Sequence, residues 1–81
     1  MFYPELLQRY VSLLQRADAI TGPNYNTEHL IWMLNELASN TGMSLSKKHR
    51  WLGFIQGVMT VHGIINVASE RDYTRHIFNG A

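Results

Sequence analysis

Lys47, Lys48, His49 and Arg50 form the densest run of basic and titratable side chains in this 81-residue chain, and they follow Ser44 and Ser46, either of which can cap a helix. A helix N-terminus presents free backbone N–H groups and the positive end of the dipole, so cations there are mildly unfavourable unless an anion is held. Lys47, Lys48 and Arg50 therefore mark a candidate phosphate or carboxylate site, with a solvated basic face as the alternative. Arg71 and Arg75, one helical turn apart, add a second pair of cations. If the last helix folds back along the one before it, Arg50, Arg71 and Arg75 are expected on one surface, where Trp51 and Tyr73 could stack on a base or anchor a protein contact. Glu70 and Asp72 offer the competing outcome: they can pair with the arginines and make the cluster structural, each exposed pair contributing about 0–1 kcal/mol.

Gly53 and Gly57 are the second constellation. They enclose Phe54, Ile55 and Gln56 in a small-x-x-x-small pattern inside an apolar helix, where each glycine costs about 0.8–1 kcal/mol relative to alanine. Close packing against a helix of the same chain, a crossing between subunits, or backbone open to a ligand would each compensate. Gln56 points elsewhere on the helix and can bind a buried backbone group or a partner.

Catalytic chemistry finds little to work with. There is no cysteine, glycine-rich phosphate loop or carboxylate cluster, so an enzyme is not expected, and no cofactor with it. His29, His49, His62 and His76 are scattered with none at i, i+4 from another, and the Asp72/His76 spacing fits a surface contact better than half a metal site, so no metal is expected either. Residues 41–81 hold five basic against two acidic side chains (+3) and residues 1–40 two against four (−2), so the net +1 conceals a dipole. That near-neutral balance and a pI of 8.2 disfavour nucleic acid, as does a third helix that presents Trp51, Leu52, Phe54 and Ile55 where base readout needs polar side chains. The apolar run from Trp51 to Ala68 is broken by Gln56, Thr60, His62 and Asn66, so no membrane span is expected. Met1 to Glu5 lack the basic start of a secretory leader and the chain has no cysteine, so a reducing cytoplasm is the expected location.

The elements that must position these residues read as helices throughout. Leu6, Leu7, Tyr10, Val11, Leu14, Ala17 and Ile20 recur at helical spacing from Pro4 to about Ile20, ended by Gly22-Pro23. A second helix is expected from Thr27 to Ser39, capped by Asn26 or Thr27, with Leu30, Ile31, Leu34, Leu37 and Ala38 facing inward. The third begins at Ser44 or Ser46, carries Trp51, Leu52, Ile55, Val58, Met59 and Val61 to a stop at Gly63, and as the most hydrophobic is expected at the centre. A short fourth helix, capped by Asn66, should run from Val67 to about Phe78, with Ser69, Glu70, Arg71 and Asp72 outward and Ile77 and Phe78 anchoring it. The expectation is one all-α domain over residues 1–81, a small helical bundle of three main helices plus a short C-terminal one, with Leu14, Leu34, Leu52, Ile55 and Met59 buried together. A light surface charge, 16% of residues, beside 46% hydrophobic residues leaves apolar area for self-association, and a symmetric dimer is expected.

Lys48 to Gly57, reading Lys-His-Arg-Trp-Leu-Gly-Phe-Ile-Gln-Gly, followed by Glu70-Arg71-Asp72-Tyr73-Thr74-Arg75, resembles a pairing in small uncharacterised proteins of tailed phages and prophages. The resemblance spans roughly the last 40 residues and departs at His76, where the family carries proline. It implies action in the host cytoplasm on a host protein, as an inhibitor or adaptor in host takeover or anti-defence. The alternatives are a sponge that sequesters a small phosphate-bearing nucleotide signal between helices and a nucleic-acid-binding module.

Overall fold

Four helices account for the chain in the computed structural model, which describes residues 2–23 and 25–79, and of His76 and Asn79 the backbone only. They are α1 (Pro4–Arg16), α2 (Thr27–Ser39), α3 (Leu45–Val61) and α4 (Val67–Asn79), and there is no strand among the described residues.

Local chemistry sets each boundary. Pro4 opens α1, whose preceding residue Tyr3 is held in the left-handed region (φ 37°, ψ 59°), a costly conformation for an aromatic residue. Ring contacts of Tyr3 to Phe2, His49 and Phe78 hold it in place. α1 ends at Arg16, four residues before the expected Ile20, because Ala17 turns extended. Ile20 is buried nonetheless: its N–H donates to Thr27 Oγ1 (2.8 Å) and its carbonyl accepts from Thr27 N–H (3.1 Å), so the loop delivers to the core a side chain that helical periodicity assigned to α1. Gly22 has no room for a Cβ, which would stand 2.8 Å from the Tyr25 carbonyl oxygen.

The caps of the later helices follow the sequence. Asn26 accepts from His29 N–H, Ser44 from Lys47 N–H, and Asn66 from the N–H groups of Ala68 and Ser69. α3 stops at Gly63 (φ 72°) in a Schellman turn, in which Gly63 N–H donates to the Thr60 carbonyl and Ile64 N–H to that of Met59. α4 starts at the expected Val67 and ends at Asn79, one residue past the expected Phe78, which makes it as long as α1 and α2.

One apolar cluster joins the helices and contains Leu14, Leu34, Leu52, Ile55 and Met59 as expected. Its middle element is α2, which packs on both α1 and α3 and buries Leu30, Met33, Leu34 and Leu37. The expectation that α3 is central fails because its glycines and polar residues interrupt its apolar positions, leaving only Leu52, Ile55 and Met59 fully buried, with Val61 83% exposed. With extents of 34 × 31 × 18 Å, the four helices form a thin layer in which α3 keeps a broad face in solvent.

Candidate functional site

The buried polar residues lie where α1 meets α4. Glu70, expected on the outer face, is 6% exposed and points inward. Its carboxylate oxygens both accept from Arg9 Nη1 (2.6 and 2.8 Å), and Oε1 also accepts from the Tyr10 hydroxyl (2.6 Å). Gln56 Nε2 on α3 donates to the Tyr10 oxygen at 3.0 Å, so three helices share one hydrogen-bonded chain. The Tyr73 ring lies 4.3 Å from the Arg9 guanidinium carbon, and Thr74 Oγ1 donates to the Glu70 carbonyl. Burial, and then the hydrogen bond to the Glu70 carboxylate, push the Tyr10 hydroxyl well above the usual phenol range. No buried side-chain donor or acceptor among the described residues lacks a partner, so the chain of bonds ties the three helices together as a structural latch.

Around α3 the residues divide by angle. At 3.6 residues per turn, Arg50, Gly53, Phe54, Gly57 and Val61 fall on one stripe, opposite Leu52, Ile55 and Met59. The stripe is open: all five residues are exposed, and a Cβ built on Gly53 or Gly57 would meet nothing within 4 Å. Close packing of these glycines against another helix of the same chain is therefore excluded among the described residues. On the α2 side the stripe borders a row of rings and a cation, in which His29 stacks on Trp32 (5.5 Å), Trp32 meets Trp51 (5.9 Å) and Lys47 Nζ lies 5.6 Å from the Trp51 ring centre. Phe54 itself meets the Tyr25 ring edge-on.

The residues singled out from sequence thus serve different ends. Arg50 lies on the open stripe, free of any hydrogen bond or ion pair among the described residues, and Lys47 and Trp51 flank it. Lys48 turns inward, donating to the Leu37 carbonyl at the C-terminal end of α2 (3.4 Å), where the helix dipole favours a cation. Gln56 and Tyr73 belong to the latch. Arg71 has no hydrogen-bond or ion-pair partner among the described residues and lines a groove between α3 and α4, whereas Arg75 pairs with Asp72 across one turn (2.9 Å). Of the two acids expected to compete for the arginines, Asp72 does so and Glu70 is taken by Arg9 instead.

Arg9, Tyr10 and Glu70 escaped the sequence reading as a set. Two signals were present: a tyrosine on the buried face of α1 requires a partner for its hydroxyl, and Glu70, Thr74 and Ile77 share one face of α4, the face that Ile77 turns inward. No group of side chains able to hold a metal exists among the described residues. No helix among them is long and apolar enough to cross a membrane. Comparison with protein-family models, curated proteins and solved structures finds no match to the chain.

Two outcomes are expected. Gly53→Ala and Gly57→Ala should each stabilise the protein by roughly 0.5–1 kcal/mol in urea unfolding, since helix propensity improves and nothing is displaced; a loss from either would show intrachain packing after all. Because the Tyr10 phenol is favoured neutral in the fold, the stability it contributes is complete below about pH 10 and is lost as pH rises beyond it. Tyr10→Phe should therefore cost about 1–3 kcal/mol at pH 7 and much less at about pH 11, and an equal cost at both pH values would contradict the placement of its hydroxyl.

Proposed function

We propose that this chain is a small, non-catalytic helical bundle that binds a protein through the outward face of α3, acting as an inhibitor or adaptor. The observation that carries the reading is the open stripe of Gly53, Phe54, Gly57 and Val61, which the fold leaves uncovered although two glycines there weaken the helix. Phe54 at 46% and Trp32 at 49% exposure supply rigid aromatic anchors of the kind that dominate protein interfaces, and Lys47 and Arg50 supply a charged rim. The resemblance of Lys48–Gly57 and Glu70–Arg75 to tailed-phage proteins supports a target in the bacterial host cytoplasm, with host takeover or anti-defence as the setting. Self-association through the same stripe is the homodimeric form of the proposal.

The row of His29, Trp32, Trp51 and Lys47 favours a second reading, in which a nucleotide stacks on an indole with its phosphate on the cation. The two readings separate in one set of measurements. The protein is immobilised, exposed to bacterial lysate and compared with Phe54→Asp, whose helix content is checked by circular dichroism. A protein retained by the wild type and lost by the variant is expected. Equal retention by both, or no retained protein together with a nucleotide that raises the wild-type melting temperature, would overturn the protein-binding reading.

A further inference from the structure

A groove of about 290 Å³ runs between α3 and α4, with Gln56, Gly57, Thr60 and Glu70 among its lining and Val67 and Phe78 forming apolar walls. The occupant's charge follows from what surrounds it. Residues 45–61 of α3 include no Asp or Glu, Glu70 is bound to Arg9, and Asp72 is bound to Arg75. Arg71 at the rim of the groove, and Arg50 two turns before Gly57 on the stripe, are left as guanidinium groups with no acid partner among the described residues. Val67 and Phe78, which line the groove together with Arg71, are 55% and 40% exposed, so the apolar surface beside that cation is uncovered as well.

Its form follows from the shape. Gly57 lowers one wall, and open space above its Cα lets another backbone approach closely. There is no strand edge among the described residues for an extended peptide to join, whereas the trough between two helices suits a third helix laid into it. A single-stranded nucleic acid would need stacking rings along its path, and among the described residues the groove lining includes one, Phe78.

Building on the protein-binding reading above, we infer that the α3–α4 groove receives an acidic amphipathic helix of the partner, with apolar side chains between Val67 and Phe78, its backbone over Gly57, and carboxylates on Arg71 at the groove and on Arg50 further along the stripe. Arginine suits this role because its fork matches a carboxylate and keeps its charge when partly dehydrated.

The test uses the full chain and three fluorescent probes: a Glu/Leu amphipathic helical peptide of about 15 residues, the same pattern with Lys for Glu, and a single-stranded oligonucleotide. Fluorescence anisotropy should show binding of the acidic peptide alone. Affinity should fall at least roughly tenfold in Arg50→Glu/Arg71→Glu and in Gly57→Trp, with helix content by circular dichroism unchanged. A Cβ on Gly57 would meet nothing within 4 Å, so Gly57→Trp is expected to retain the fold while obstructing the groove. Indifference to peptide charge, unchanged affinity in either variant, preference for the oligonucleotide, or no binding of any probe would each overturn the inference. A lysate partner that depends on Phe54 but binds Gly57→Trp and Arg71→Glu normally would leave the broader reading standing and remove this one.

Discussion

A carboxylate taken out of water has to be paired and hydrogen-bonded, and Glu70 is held in this way by Arg9 and Tyr10. Much of the arrangement of α4 depends on that requirement. Among the described side chains of α4 the inward ones are Glu70, Thr74 and Ile77, of which only the last is apolar, so hydrophobic burial alone provides a thin attachment for a thirteen-residue helix. The Arg9 side chain retains 32% exposure while Glu70 retains 8%, which keeps the cation partly hydrated as it satisfies the buried anion. Tyr10 and Gln56 extend the constraint to α3, tying the first, third and fourth helices through one run of side-chain hydrogen bonds.

That solution frees the opposite side of α3. With Leu52, Ile55 and Met59 filling the core and Gln56 serving the latch, the stripe of Arg50, Gly53, Gly57 and Val61 is left exposed. Glycine at 53 and 57 is then a cost that nothing within the fold offsets. Natural sequences tolerate such local conflicts mainly where function requires them, and here the conflict coincides with exposed Phe54 and Val61 and with unpaired arginines. A thin layer of helices suits this purpose, because little of α3 needs to be covered for the core to close.

The helices were legible in the sequence because their signals are local. Asn26, Ser44 and Asn66 cap as side chains of their type should, and Gly63 adopts the left-handed geometry that ends α3. Ile20 was misassigned to a helix because periodicity reports burial, and a loop closed by Thr27 buries that residue equally well. The candidate site was legible only in part. Lys47, Arg50, Trp51 and the two glycines do border an open face, but Lys48 was claimed by the end of α2 and Gln56 by Tyr10. Pairing across 61 positions between Arg9 and Glu70 leaves no spacing signal in a single sequence, and local charge pairing pointed to Arg71 and Arg75 instead.

A double-mutant cycle between Arg9 and Glu70 most directly examines whether α4 is fastened by a charge pair or by apolar packing. Arg9→Met, Glu70→Gln and the combined variant would be unfolded in urea at neutral pH, followed by circular dichroism. A coupling energy of about 1.5–3 kcal/mol, with the double variant costing little more than Glu70→Gln alone, is the expected result for a buried, hydrogen-bonded pair. Additive effects with coupling below about 0.5 kcal/mol would mean that the two side chains act independently and that packing holds the helix.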